Sequence, residues 1–426
     1  MQLGAVLVCD AGPLLLRHGG IDVERLRTYT GMRIAAVSRA RERRAELAFG
    51  ALEAFVPDAR FELEYHVRHA SLPRPGDDRA LKRLAARIFS EPLDPARPPW
   101  QLWVVEGVDA GRFALVAVCD AALVGPGSTG DLVQALLARE PGPAVATPGW
   151  LARAGAALQR RAVAALSPVR LAGRAMAGAL DLAESALGGG DAFGPGSGGA
   201  LRRVDWLELD AADVDAVRTR LGGSERDVAL AALSGGLRHL FERRGAEARV
   251  LRALTPICVG GRSAAPRVRL PTAIADARAR LVVLRGASER AGTPDTGAEP
   301  PLRALASLAA AAADGRRAEL VAAALPALAG EPEVAGAPVR AVVPVLPPLP
   351  AQALGVTVTR LGARVFVGLA ADASRVPELS ALADGTASAF DELRRIVAEA
   401  RVRPAARRVA KPRRRRATRS SEAEAQ

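Results

Sequence analysis

Cysteine, histidine, lysine and aromatic residues are scarce in this sequence. Phe, Trp and Tyr make up 4% of the chain, so its core must be built mainly from aliphatic side chains. The 3 cysteines, Cys9, Cys119 and Cys258, are widely spaced in apolar surroundings. That spacing excludes a disulfide framework and a zinc-ligand pattern, and it favours a reducing cytoplasm. Lys82 and Lys411 are the only lysines among 59 basic residues, which is typical of coding bias.

Long uninterrupted apolar runs are also lacking. Arg, Asp or Pro interrupts every long apolar stretch, and no N-terminal segment combines a basic start, an apolar run and a small-residue cleavage site. We therefore expect neither a membrane span nor a signal peptide.

Positive charge is concentrated at the C-terminal end. The net charge is +13, and residues 401–419 contain ten arginines and lysines but no acidic residue. This composition predicts a disordered, solvated tail over residues 401–426. The tail suits an anionic membrane surface as its partner. Nucleic acid is disfavoured, because no aromatic residues are interleaved for base stacking.

The length of the chain predicts two domains, since 426 residues exceed the size at which one hydrophobic core usually stops growing. The glycine-rich stretch 188–200 has the composition of a flexible linker and marks the boundary. The predicted parts are an N-terminal domain over 1–187, the linker over 188–200, a C-terminal domain over 201–400 and the tail over 401–426.

Hydrophobic patterning predicts mixed α/β structure in both halves. The predicted strands cover residues 3–9, 101–106, 112–119, 204–209, 250–258, 354–359 and 364–370. The predicted helices cover residues 21–37, a segment capped by Asp77, the weakly patterned stretch 141–187, a segment opened by Ser224 with Asp227 three positions later, and residues 376–400.

Several segments, in order, resemble one protein family. They are Phe61–Arg68 (FELEYHVR), Pro92–Trp100 (PLDPARPPW), Glu106-Gly107, Asp227–Leu240 and Gln352–Ala370. The family is the wax ester synthase/diacylglycerol acyltransferase family, which shares its plan with chloramphenicol acetyltransferase and condensation domains. The resemblance implies two chloramphenicol acetyltransferase-like α/β domains with the active-site channel between them. It also implies acyl-CoA and a neutral-lipid acceptor as ligands, no metal and no further cofactor.

The central motif of that family is overwritten here. The first-domain hairpin of the family ends in His-His-x-x-x-Asp-Gly, and the corresponding stretch runs from Cys119-Asp120 to Val124-Gly125. A register shifted by one residue places Asp120 and Ala121 on the histidines and Gly125 on the aspartate, and it restores none of them. Asp227 stands in the second-domain motif, where Arg226 replaces the asparagine of the family.

The loss bears directly on chemistry, because the second histidine of the family removes the proton from the attacking alcohol. Asp120 takes its position as a candidate catalytic residue. The reference pKa of an aspartate, about 3.9, lies well below the roughly 6.5 of histidine, and its side chain is shorter. Burial in an apolar pocket would raise that pKa. Val124 in place of the motif aspartate removes an orienting contact as well.

Other candidate groups have simpler interpretations. Cys119 as a thiol nucleophile lacks an adjoining histidine, so a small buried strand residue is the better interpretation. His66 and His69 alternate along a segment that we predict to be extended, and structural or surface roles fit them better than a role as substitute bases. The glycine loop that begins at Gly125 is weak evidence for phosphate binding, and turn geometry explains it.

Three hypotheses remain open from the sequence. The first is an acyltransferase-fold protein of triacylglycerol and wax ester metabolism with weak or lost catalysis, cytoplasmic or peripheral at the inner membrane or lipid droplets. The second is a working O-acyltransferase that uses Asp120 as a non-standard base, helped by substrate positioning. The third is a non-catalytic lipid-binding or partner subunit that is tethered by its basic tail.

Overall fold

A computed structural model of the chain contains strands and helices in both halves, which confirms the predicted α/β class. It describes residues 1–17, 19–47, 52–124, 131–140, 193, 199, 201–255, 257–259, 262–264, 266–291, 306, 318–328, 330–349 and 352–402. The predicted helix over 141–187, Gly125, most of the linker and the tail from residue 403 lie outside the described residues.

The first sheet contains six strands: β1 (Gln2–Asp10), β4 (Val67–Ser71), β5 (Trp100–Val108), β6 (Arg112–Asp120), β13 (Glu333–Val334) and β14 (Ala337–Val345). Their order in the sheet is β13-β14-β1-β6-β5-β4, and neighbouring strands are antiparallel except β4 and β5. Strands β1 and β6 are buried along almost their whole length, which explains why both are nearly continuous runs of aliphatic residues.

The second sheet contains six strands: β7 (Arg202–Asp210), β8 (Leu251–Leu254), β11 (Arg267–Leu270), β12 (Leu320–Ala324), β15 (Leu354–Leu361) and β16 (Arg364–Asp372). Their order in the sheet is β11-β8-β12-β15-β16-β7, and β12 is parallel to both of its neighbours. Two short hairpins complete the strands, β2 (Glu42–Leu47) with β3 (Leu52–Pro57) and β9 (Ile257–Val259) with β10 (Arg262–Ala264).

Helices cover the sheets. They are α1 (Val23–Ile34), α2 (Leu63–His66), α3 (Asp78–Ser90), α4 (Ala121–Val124), α5 (Leu132–Leu137), α6 (Ala211–Leu221), α7 (Glu225–Arg243), α8 (Ala277–Ala291) and α9 (Leu379–Val402). The predicted caps are confirmed: the Asp77 side chain accepts a hydrogen bond from Ala80 N, and Ser224 with Asp227 forms a capping box. Within the described part of the chain, no helix is long and apolar enough to cross a bilayer.

Strand β14 comes from the second half of the chain but belongs to the first sheet, where it pairs with β1. Its end lies against β15 and β16, and two glycines make this approach feasible. A Cβ atom at residue 355 would lie 1.8 Å from the Leu346 carbonyl oxygen, and one at residue 368 would lie 2.7 Å from that of Pro344. The sequence did not predict this crossing. It means that two strands of the predicted domain 201–400, β13 and β14, are built into the first sheet.

Polar contacts also join the two halves along α3 and β7. The Lys82 ammonium lies 2.6 Å from an Asp205 carboxylate oxygen and donates to the Trp206 carbonyl at 2.9 Å. The Arg202 backbone N–H donates to Ser90 Oγ at 2.8 Å. Residues of β7 and β16 accordingly pack in the same apolar cluster as β1 and β6.

Most predicted strands are confirmed, and the observed strands extend past the predicted ends by one or two residues. Other segments differ from the prediction. The predicted strand 250–258 is interrupted between Leu254 and Ile257. The segment with His66 is not extended, because Leu63–His66 is a helical turn and only Val67–Ser71 is strand. Strands β12 and β14 were missed, since alanine and proline in them weaken the β pattern.

Candidate active site

The candidate site lies where β6 ends, next to the starts of β1 and β5. Cys119 is paired with Leu3 on one side and with Trp100 on the other. The Asp120 N–H donates to the Pro99 carbonyl at 2.9 Å, so the proline-rich segment fixes the end of the strand. The chain then turns directly into α4, which carries residues 121–124. We call residues 119–124 the motif segment.

Asp120 is 8% exposed, and both of its carboxylate oxygens are engaged. Oδ1 accepts a hydrogen bond from the Ala122 N–H at 2.9 Å, which fixes the first turn of α4. Oδ2 lies 2.9 Å from the Met1 ammonium and forms an ion pair with it. The side chain of Asp120 therefore ties the end of β6 to α4 and to the start of β1.

Cys119 and Val124 are both fully buried, as expected for structural residues. Burial, reinforced by the charges of Asp131 and Asp120, raises the pKa of the Cys119 thiol well above its ordinary value. The thiol is therefore protonated at neutral pH and is not a nucleophile. Val124 packs in the first apolar cluster, so the position of the motif aspartate carries an aliphatic side chain.

Asp131 is a carboxylate near the motif segment that we did not predict. It is fully buried, and its Oδ1 accepts hydrogen bonds from the N–H groups of Val133 at 2.8 Å and Gln134 at 3.1 Å, which caps α5. An aspartate directly before the apolar run of α5 is the N-cap signal that could have revealed it. The charge of Asp131 raises the pKa of Cys119. Because the Asp131 carboxylate is fully buried and caps α5, it is unsuited to accept a proton from a substrate.

A pocket of about 370 Å³ adjoins the motif segment, and we call it the Asp120 pocket. Its charged lining residues are Arg44, Asp94, Arg97, Asp120 and Arg202, together with the Met1 ammonium. Cations therefore outnumber carboxylates on its walls. The sequence did not predict this grouping, because the residues come from five separate segments of the chain.

The histidines that the structure describes occupy structural or surface positions. His66 is fully buried and stacked on Trp100, with ring centroids 4.6 Å apart, and its Nδ1 lies 2.8 Å from the Trp100 carbonyl oxygen. Burial lowers the pKa of His66, which favours the neutral ring. His69 lies 3.4 Å from Glu106, and the exposed His239 lies 3.4 Å from Glu242. These contacts fit the predicted structural and surface roles, while His18 lies outside the described residues.

The start of α7 is held by a set of polar contacts around Asp227. Asp227 Oδ2 accepts from the Ser224 N–H at 2.8 Å, and Asp227 Oδ1 accepts a short hydrogen bond from the Ser288 hydroxyl. Arg226 Nη2 donates to Ser288 Oγ at 3.1 Å. Burial lowers the pKa of the Arg226 guanidinium, and its Nε and Nη1 atoms have no hydrogen-bond partner among the described residues.

Comparisons with family models match both halves of the chain. The wax ester synthase/diacylglycerol acyltransferase catalytic domain matches residues 1–229, and the C-terminal domain of the same family matches residues 304–394. The first match alone covers more than half of the chain.

Relatives and solved structures agree with these matches. The chain is 36% identical over 114 residues to the Mycobacterium tuberculosis protein named Probable diacylglycerol O-acyltransferase tgs3, covering 26% of this chain and 42% of that relative. A second protein of that organism, also named as a diacylglycerol O-acyltransferase, is 28% identical over 76% of this chain and 74% of its own.

A Marinobacter aquaeolei wax ester synthase/diacylglycerol acyltransferase superposes with a TM-score of 0.62 at 19% identity, covering 93% of this chain and 95% of its own. The first condensation domain of the calcium-dependent antibiotic synthetase gives 0.59 at 14%, covering 93% and 92%. The structural likeness confirms the fold.

Proposed function

Because the chain belongs to the wax ester synthase/diacylglycerol acyltransferase family, we propose that it binds acyl-CoA and a neutral-lipid acceptor but has weak or no acyl transfer. The observation that carries the proposal is the state of Asp120. Its two carboxylate oxygens already hold the Ala122 N–H and the Met1 ammonium. Asp120 is therefore a structural group rather than a base.

The chemistry of the family explains why this matters. When an alcohol oxygen attacks the thioester carbonyl of an acyl-CoA, a C–O bond forms, the C–S bond breaks and the alcohol proton passes to the departing thiolate. A general base that carries this proton contributes typically 10²–10⁴-fold to the rate. With Asp120 engaged, Cys119 protonated and Val124 apolar, the motif segment offers no group for that step. Binding and positioning of both substrates remain.

The test is acyl transfer from palmitoyl-CoA to hexadecanol or dioleoylglycerol, with calorimetric binding of palmitoyl-CoA measured beside it. We expect binding in the wild type, turnover near background and no further loss in Asp120→Ala. Restoring an imidazole, as Asp120→His or in the shifted register as Ala121→His, should raise turnover in one of the two. Robust wild-type turnover that Asp120→Ala abolishes would instead establish Asp120 as the base. Failure to bind palmitoyl-CoA would contradict the proposal outright.

We also propose that the basic segment 401–419 holds the protein at an anionic membrane or lipid-droplet surface. Ten positive charges without an acidic residue support this, at about 1 kcal/mol for each charge near such a surface. Deleting residues 403–426 should therefore release the protein from vesicles that contain phosphatidylserine. Vesicle binding that survives the deletion would contradict the tether.

A further inference from the structure

The cations that line the Asp120 pocket are poorly neutralised. Arg97 lies 3.8 Å from Asp58 and donates a short hydrogen bond to the Arg60 carbonyl. Arg202 lies 3.9 Å from Asp372 and donates to the Gly199 carbonyl at 3.0 Å. Carbonyl oxygens accept these hydrogen bonds without neutralising the charge. The Arg44 side chain has no hydrogen bond or ion pair with any residue that the structure describes. Three guanidinium groups around one pocket thus lack a close carboxylate.

Arginines elsewhere in the fold show the contrast. Arg252 lies 2.7 Å from Glu319, and Arg360 lies 2.6 Å from Asp215. Separations of about 2.7–2.9 Å mark charge-assisted hydrogen bonds. Long separations also occur on helix surfaces, at 3.8 Å for Arg87 with Glu91 and 3.5 Å for Arg285 with Glu289. The Asp120 pocket differs because three weakly paired guanidinium groups line one cavity.

Two carboxylates line the pocket beside these cations. Asp120 is paired with the Met1 ammonium, so Asp94 alone offers its charge to the three guanidinium groups. Asp94 Oδ1 accepts from the Ala96 N–H at 2.8 Å, and Asp94 Oδ2 accepts from the Tyr65 hydroxyl at 3.4 Å. Asp120 holds the Met1 ammonium and α4. The open walls of the pocket therefore carry a net positive charge, and a bound anion would complete their pairing.

We propose that Arg44, Arg97 and Arg202 form a binding site for a phosphate group. Guanidinium groups match the geometry of phosphate oxygens better than ammonium groups do. The pocket volume of about 370 Å³ accommodates a phosphate with a short attached chain. Apolar Leu93 and the 40%-exposed Met1 flank the cations, which suits an amphipathic ligand.

Two ligands present this chemistry, the phosphates of CoA and the headgroup of a phosphorylated lipid. The CoA source rests on the proposed function, whereas the lipid source does not, because it requires neither acyl-CoA nor acyl transfer. Calorimetry with the full chain would compare inorganic phosphate, CoA, pantetheine, dihexanoyl phosphatidic acid and dihexanoylglycerol. Stronger binding of CoA than of pantetheine, which carries no phosphate, assigns the site to CoA. Stronger binding of phosphatidic acid than of the diacylglycerol assigns it to a lipid.

The chain offers a matched control for this experiment. Arg44→Gln/Arg202→Gln removes two cations from the pocket, whereas Arg43→Gln/Arg203→Gln removes two from the adjacent positions of the same strands, outside the pocket. We expect at least tenfold weaker binding of the phosphorylated probe in the first pair and a change below twofold in the second. The single variant Arg44→Gln removes no contact within the described structure, so it tests the site even if the double variant folds poorly.

Equal losses in the two double variants would overturn the site, because they would reveal only a general effect of surface charge. Wild-type protein that binds none of the phosphorylated probes would overturn it as well. If palmitoyl-CoA binds and the Arg44→Gln/Arg202→Gln variant binds it equally well, the phosphate site fails while the proposed function stands.

Discussion

The motif segment at the end of β6 and the start of α7 differ in the contacts that hold them. At the motif segment, aliphatic or structural groups occupy the positions of the functional ones: Val124 is fully buried and Asp120 serves as a tie. At the start of α7, Asp227 is equally buried but keeps a complete set of hydrogen bonds with Ser224 and Ser288. The comparison teaches that apolar packing and one tied carboxylate hold the motif segment, whereas a set of polar contacts holds the start of α7.

The largest expected effect concerns Val124. Replacing it with the motif aspartate, Val124→Asp, places an unpaired carboxylate in an apolar cluster. We expect the free energy of unfolding to fall by about 3–5 kcal/mol. Val124→Ala, the size control, should cost about 2 kcal/mol. Urea denaturation measures both, and a carboxylate that costs no more than the alanine would show that the site still accommodates charge.

Asp227 tests the other side of the comparison. Asp227→Ala leaves the Ser224 N–H and the Ser288 hydroxyl without their acceptor, at an expected cost of about 2–3 kcal/mol. Asp120→Ala should cost about 1 kcal/mol, because its contacts are closer to solvent. Asp227→Asn keeps an acceptor for Ser224 and should fall between them. The contrast between the regions breaks down if Asp120→Ala proves as costly as Asp227→Ala.

His66 gives the smallest effect and a pH dependence. Since burial lowers its folded-state pKa, the unfolded chain alone binds a proton between that value and about 6.5. The His66 contribution therefore lowers stability as pH falls below about 6.5, by up to about 1.4 kcal/mol per pH unit, and is constant above it. Unfolding measured from pH 5 to 8 should show this slope in the wild type and lose it in His66→Gln.

The exposed His239 provides the control for that measurement. His239→Gln should leave the slope of the wild type unchanged. If His66→Gln also leaves the pH slope of stability unchanged, the His66 imidazole takes up protons as readily in the folded state as in the unfolded chain. The interpretation of His66 as a substitute base would then gain support.

Local patterns were enough to predict much of the fold. Alternation and aliphatic runs placed β1, β5, β6, β15 and β16, and the side chains of Asp77 and Ser224 marked the starts of α3 and α7. These signals work because caps and strand faces depend on residues close together in the chain. The missing histidines were evident for the same reason, since the motif is contiguous.

Contacts between segments that are distant in the sequence became known only from the tertiary structure. The crossing of β14 into the first sheet depends on Gly355 and Gly368, whose meaning appears only when the end of β14 lies against them. The role of Asp120 depends on Met1, which is 119 positions away, and the Asp120 pocket gathers arginines from separate strands and loops. Thus the sequence by itself determined the resemblance to the family, the elements with clear local patterns and the absence of the motif histidines. The fold alone decided what surrounds Asp120, because burial and ion pairing arise from neighbours in space.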